Sequence, residues 1–193
     1  DEVVYTAVQV EDDLAGWIAE ATKAGVVAVD TETTSLNSMR AELVGVSLST
    51  VSGRACYVPL GHAAPRAQGL LGLDDDGDAA PGEPPRQIPM ATAVAALKPL
   101  LEDPGVLKVG HNIKYDMQVL AHHGIDVAPV DDTMILSYVL EGGLHGHGLD
   151  DLATLHFGHA NIKFSEVAGS GKNKVGFDEV TLEAAVPYAA EDA

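Results

Sequence analysis

Residues 26–36 read Val26-Val27-Ala28-Val29-Asp30-Thr31-Glu32-Thr33-Thr34-Ser35-Leu36, a β-branched run that stops on two acids. The run Val26 to Val29 predicts a short strand buried on both faces and closed by Asp30. Asp30 and Glu32 are two residues apart, so strand alternation sends both carboxylates to one face. A single D-x-E at a strand end is usually solvated or caps a helix. Its meaning depends on what the rest of the chain brings to it.

On the N-terminal side, Tyr5 to Val10 alternates weakly and predicts another strand. Leu14, Trp17, Ile18 and Ala21 fall at helical spacing, and Gly25 ends that helix. On the C-terminal side, Leu43 to Leu48 and Cys56 to Leu60 predict two strands joined by a turn at Ser52-Gly53. The three strands form a meander that begins with the Asp30 strand. Met90, Val94, Leu97 and Leu101 form one helical stripe, stopped by Asp103-Pro104-Gly105. Val106 to Val109 is a further strand. Asn112 to His122 reads as a helix with Ile113, Met117 and Leu120 inward. Asp132 is placed to cap a helix from Thr133 to Leu140. Leu149 to His156 and the end of the chain also read as helical, with Pro187 at a first helical position. This order predicts an α/β layer structure with one mixed central β-sheet flanked by α-helices.

Length and composition bound the function. The chain has 193 residues, about one domain. It carries 29 acidic against 11 basic residues, a net charge of −18, which argues against a broad basic face for gripping nucleic acid. Cys56 is the single cysteine, so neither a disulfide framework nor a cysteine-based zinc cage is available. No apolar run reaches 18 residues, so no membrane contact is expected. The start, DEVVYTAVQVEDD, is not a signal peptide, and YAAEDA stops inside an apparent helix. Residues 1–193 are therefore expected to be a piece of a longer protein. Residues 61–89 hold five prolines, five glycines and the run Asp74-Asp75-Asp76-Gly77-Asp78. They predict a flexible, acidic surface insertion. A calcium loop is disfavoured there by the spacing and by the lack of a terminal bidentate Glu.

Two further places put carboxylates near apolar elements. Asp116 lies four residues after Asn112, which predicts a shared helix face. Tyr188 and Asp192 are likewise four apart. Taken singly, a Tyr-Asp pair on a helix or a final Glu-Asp is usually ordinary surface. Taken together, Asp30, Glu32, Asp116 and Asp192 supply the four carboxylates that two hard divalent cations need.

VDTETTSL at 29–36, VGHNIKYDMQVL at 109–120 and YAAEDA at 188–193 resemble the three motifs of the DEDD exonuclease superfamily, tyrosine-containing subclass. AELVGVSLST, KPLLEDPGVLKVGHNIKYDMQVLAHHGI, DDTMILSYVL and the stretch from Leu149 to Ala193 are similar to the proofreading 3′-5′ exonuclease domains of bacterial DNA polymerase I. The similarity covers nearly all of the chain except 61–89.

The resemblance implies a ribonuclease H-like fold and hydrolysis of the 3′-terminal phosphodiester of single-stranded DNA. It implies two divalent cations, Mg2+ or Mn2+, with Zn2+ also accommodated at the first site. Asp30, Glu32 and Asp192 would hold the first ion, Asp30 and Asp116 the second, Asp116 through water. Tyr188 would orient the attacking water with its phenol protonated. Leu36 would wedge against terminal bases, and Phe164 would pack near the 3′-terminal nucleotide. Thr31, Asn112 and Tyr115 would contact the strand. Stacking of this kind is sequence-tolerant. A linked polymerase domain, a monomeric state and a cytoplasmic, nucleoid-associated location follow from the same resemblance. His111, Thr34 and Gly146 depart from better-known members, which bears on DNA contact and not on chemistry. None of the histidines is needed as a ligand; His145 and His147, in a glycine-rich loop, are expected to be solvated or to touch phosphate. Two other functions stay open: a free-standing exoribonuclease of the superfamily, and a silent scaffold that only binds single-stranded ends. The intact carboxylate set speaks against the scaffold, and the GSGKNK loop favours the polymerase.

Overall fold

The computed structural model describes residues 3–64 and 83–193. Its centre is a six-stranded mixed sheet in the order β1-β4-β3-β2-β5-β6. The strands are β1 (Val4–Ala7), β2 (Val26–Thr33), β3 (Leu43–Val51), β4 (Arg54–Pro59), β5 (Leu107–Gly110) and β6 (Val130–Asp132). β2, β3 and β4 form the predicted antiparallel meander, while β1 joins β4 and β5 joins β2 in parallel. β6 extends the parallel half beside β5.

The helices are α1 (Glu11–Ala24), α2 (Met90–Leu101), α3 (Lys114–Ala121), α4 (Thr133–Glu141), α5 (Leu149–Phe157), α6 (Phe164–Val167) and α7 (Leu182–Glu191). Gly25 ends α1 in the left-handed region, at φ 70°, where a missing Cβ removes the steric cost. Asp132 caps α4 by accepting from the backbone N–H groups of Met134 and Ile135. One face of the sheet contributes Val27, Val29, Val46, Leu48, Cys56 and Val58 to the larger core, with Leu14, Leu97, Leu101 and Leu120. The other layer is smaller and gathers Val44, Tyr57, Phe177, Val180, Ala185 and Ala189. The candidate site lies on this second side.

Several sequence expectations are corrected. β2 does not close at Asp30 but runs to Thr33, and it is not buried on both faces: Val27, Val29 and Thr31 are buried, while Ala28, Asp30 and Glu32 are half-buried. The acids therefore ride on a strand face that the smaller layer only partly covers. In α2, Ala93, Leu97, Leu100 and Leu101 are buried, so the inward stripe is rotated from Met90 and Val94. α3 starts at Lys114, and Asn112 stands before it at φ 59°. Asn tolerates this region better than most residues, and its N–H donates to Asp132 Oδ1 at 3.0 Å. Asn112 and Asp116 therefore do not share a helix face. Pro187 sits inside α7, which begins five residues earlier at Leu182.

The 61–89 segment is not wholly a surface insertion. His62 is buried, and Gln87 and His62 exchange two hydrogen bonds of 3.0 and 2.8 Å. Ile88 is buried in the larger core. The acidic run at Asp74 to Asp78 lies outside the described residues, as does most of the expected loop.

His62 also anchors the smaller core. Its Nδ1–H donates to the Val180 carbonyl at 3.1 Å, so Nε2 accepts from the Tyr57 hydroxyl at 2.8 Å. The fully buried Tyr57 ring lies over Gly45, where a Cβ would come within 2.2 Å of it. Gly45→Ala is expected to cost about 1–3 kcal/mol, the usual range for overpacking. Urea denaturation of the variant checks this; unchanged stability would mean that the ring is free to move.

Candidate active site

β2 and the end of α7 converge. Asp30 and Glu32 come from the half-buried face of β2, and Asp192 caps the C-terminus of α7. Each of the three offers a ligand oxygen within 4.8 Å of the others, the one such cluster found among the described residues. Burial comes first among the forces on these carboxyls. It raises Glu32 to about 8, helped by the charges of Asp192 and Asp116. It raises Asp192 to about 6, with Glu191 and Asp150 adding to the effect and the Asn161 amide opposing it. Asp30 is pushed well above the ordinary carboxylate range by burial and then by Asp116, Glu32 and Asp192. Three carboxyls buried this close to one another favour the protonated form.

Asp116 approaches from α3. It is buried, and burial raises it to about 6. Its Oδ1 accepts from both the backbone N–H of Thr31 at 3.0 Å and the Thr31 hydroxyl at 2.5 Å. The Thr31 side chain is buried, 7% exposed, and its hydroxyl is committed to Asp116. Asp116 stands outside the cluster of three but close enough to raise Asp30.

An aromatic wall borders the carboxylates. Tyr188, one turn before Asp192 on α7, packs on Phe177 at 5.5 Å and edge-on to Phe164 at 6.1 Å between centroids. Burial and the nearby charges of Glu32, Asp192 and Asp30 hold its phenol far above its ordinary range, so it keeps its proton. Phe164 stacks on Phe177, and the Lys174 ammonium lies 5.2 Å above its ring. Lys163 and Lys172 flank the same region in sequence.

The remaining predicted contacts lie on the loop after β2, before and on α3, and after α4. Leu36 is 99% exposed at the tip of the loop after β2. That loop is tied to α3 by Tyr115, whose hydroxyl pairs with Thr33 Oγ1 and donates to the Ser35 carbonyl, and by Ser38 donating to Gln118 Oε1 at 2.5 Å. Tyr115 is thus a tether whose hydroxyl is already engaged. Asn112 Oδ1 is engaged by Lys114. His147 is buried, stacked at 3.9 Å on Tyr138 and bonded to Ser137, which overturns its expected solvation. His145 is held by Glu141 at 2.9 Å.

Sequence reading missed the loop between α5 and α6. Asn161 donates to Asp192 Oδ1 at 3.2 Å, and His159 and the Ile162 N–H both bind Glu191. These contacts cross about thirty residues of chain, and no local pattern in HANIK announces them. Thr31 carried a signal, since it sits between the two acids, but its direction across the strand decides its role.

The donors fit hard divalent cations. All are carboxylate oxygens, they converge from separate elements, and their mutual repulsion is what a cation would relieve. No helix among the described residues is long and apolar enough to cross a membrane.

The sequence family described as 3′-5′ exonuclease matches residues 5–193. DNA polymerase I of Rhizobium leguminosarum is 45% identical over 202 aligned residues, which cover 100% of this chain and 19% of that protein. DNA polymerase I of Pseudomonas aeruginosa is 40% identical over 195 residues, covering 100% of this chain and 20% of that protein. The chain thus spans about a fifth of the length of the curated relatives it matches. Among solved structures, Escherichia coli RNase D, an exoribonuclease involved in structured RNA processing, superposes with a TM-score of 0.64 at 20% identity. That match covers 99% of this chain and 42% of that one. Brucella melitensis NrnC with bound Mg2+ gives 0.63 at 23% identity, covering 100% and 75%. The expected ribonuclease H-like fold, with its mixed sheet flanked by helices, is the one observed.

Proposed function

Because the chain belongs to the 3′-5′ exonuclease family, we propose that it removes nucleotides from the 3′ end of single-stranded DNA as nucleoside 5′-monophosphates. The observation that carries this reading is the convergence of Asp30, Glu32 and Asp192 within 4.8 Å, beside a phenol that keeps its proton. Asp30, Glu32 and Asp192 would hold one divalent cation and Asp30 with Asp116 a second, Mg2+ or Mn2+ being the natural choices for carboxylate oxygens. Bound there, such cations lower the pKa of water and stabilise charge on the phosphate and the leaving 3′ oxygen.

The chain's own residues do the positioning. Thr31 fixes the rotamer of Asp116 through two hydrogen bonds to one oxygen. Tyr188 offers a hydroxyl at the carboxylate cluster and orients the attacking water. Phe164 packs against the terminal nucleotide, and the exposed Leu36 wedges against the terminal bases. Such contacts hold any base, as proofreading requires. The DNA polymerase I relatives support a domain linked to a polymerase domain, and our proposal extends to DNA replication and repair by a monomer in the bacterial cytoplasm at the nucleoid. Tethering would supply the affinity that a chain of net charge −18 lacks.

The test is a gel assay of 5′-labelled DNA and RNA oligonucleotides in Mg2+ and in chelator. A ladder of shortening DNA in Mg2+ alone is expected. Intact DNA in Mg2+ and Mn2+, or degradation confined to RNA, would sink the reading.

Tyr188→Phe tests the role of the phenol. It removes one hydrogen bond to the nucleophile and no cation ligand. Turnover is expected to fall by about 10- to 1000-fold, as for loss of a single aligned donor, with the melting temperature nearly unchanged. A Tyr188→Phe protein as inactive as a carboxylate variant would give the tyrosine a different job.

A further inference from the structure

The end of α7 has an electrostatic problem. A helix C-terminus carries partial negative charge, and Glu191 and Asp192 add two carboxylates there, with Asp30 and Glu32 close by. Left alone, Asp192 would turn away from its like-charged neighbours. Something must hold it against them.

The loop between α5 and α6 does so. Gly158, at φ 66°, turns the chain out of α5, and Thr154 Oγ1 donates to the His159 carbonyl at 3.1 Å to fix the turn. The next residues lay donors against α7. The Ile162 N–H donates to Glu191 Oε2 at 2.7 Å, and His159 Nε2 meets Glu191 Oε1 at 2.6 Å. Both oxygens of Glu191 are thereby occupied, and its side chain is only 8% exposed. Asn161 Nδ2 donates to Asp192 Oδ1 at 3.2 Å. The reverse amide orientation would set an oxygen against a carboxylate, so this assignment is the attractive one. Asn161 Oδ1 is buried and has no partner among the described residues, a cost that a merely space-filling side chain would not incur.

We propose that Asn161 is a positioning residue for Asp192, and that residues 159–162 form a latch that keeps the last turn of α7 where Asp192 shares a divalent cation with Asp30 and Glu32. The proposal rests on the reading that these carboxylates hold a cation. Its physical basis is general: carboxylate ligands are oriented by their own hydrogen-bond partners, and loss of a partner weakens metal binding.

The experiment is calorimetric titration of Mn2+ into the metal-stripped chain, with melting in chelator measured beside it. Asn161→Leu keeps the γ-branched shape, at somewhat larger volume, and removes the donor; Asn161→Ala removes both. Both variants are expected to bind Mn2+ about 10- to 100-fold more weakly, with melting in chelator unchanged or slightly raised. Mn2+ affinity within about twofold of the parent in both would overturn the proposal, since an orienting partner is worth more than that. Weakening in Asn161→Ala alone would overturn it too, because volume and not the donor would then matter. A collapsed melting transition in chelator for both would mark a structural role, with the same consequence. Asp192→Ala separates the two levels of reading. If the parent binds Mn2+, Asp192→Ala abolishes binding and the Asn161 variants keep it, only the latch falls. If the parent binds no Mn2+, the cation reading falls and takes the latch with it.

Discussion

Asp30→Ala and Asp192→Ala are each expected to abolish hydrolysis while leaving the chain folded. Each removes a carboxylate from the cluster that converges within 4.8 Å, and Asp30 is the one residue assigned to both cations. The loss should exceed the ~100-fold that follows removal of an outer-shell partner, because here a ligand itself is gone. The fold should survive, since the side chain deleted is a partly covered acid and not part of the apolar core. The metal-free protein should melt higher than the parent, as one member of a repelling group has been removed. Single-turnover assays and thermal melts on the same preparation check both halves. Turnover within tenfold of the parent in either variant would end the assignment of these carboxylates to cation binding, since a tenfold change is only about 1.4 kcal/mol of barrier.

The same cluster shows how far sequence carries. The meander, the helices around it and the capping role of Asp132 are local facts, written in alternation, spacing and cap chemistry. Asp30 and Glu32 could be placed on one face because strand alternation is rigid. Local rules failed where geometry is set at a distance. Asn112 looked helical because Ile113, Met117 and Leu120 repeat at helical spacing, yet its N–H belongs to Asp132, twenty residues on. The direction of the Thr31 side chain depends on whether β2 ends at Asp30 or continues past it. Once the strand runs on, Thr31 points into the protein and finds Asp116. His62 and Ile88 were hidden in a stretch whose glycines and prolines suggest only a loop. Asn161 and His159 gave no sign at all, because what they do is defined by α7.

The pH dependence of stability is the second large effect expected, and its sign is fixed by the direction in which the cluster's carboxyls move. Glu32 is raised to about 8, and Asp116 and Asp192 to about 6. An acid whose folded pKa lies above its unfolded value binds protons more tightly when folded, so stability falls as pH rises. The contribution is fully present below the unfolded value near 4 and is lost as pH climbs through 6 and toward 8. Moving one carboxyl from 4.5 to about 8 corresponds to on the order of 5 kcal/mol. For a chain of this size that is about 10 °C in melting temperature. Burial lowers His62, His111 and His123, which works in the opposite direction below about 6.5. Those histidines are common to the parent and to Glu32→Gln, so the difference between the two proteins isolates the carboxyl. In chelator, Glu32→Gln should melt close to the parent at pH 5 and about 10 °C above it at pH 8. Mg2+ or Mn2+ at about 100 times its Kd should then raise the parent by about 2.7 kcal/mol at pH 8, and raise the variant less, because a ligand is missing. A gap that stays constant between pH 5 and pH 8 would mean that Glu32 is not buried against Asp30 and Asp192, and the site would have to be rebuilt.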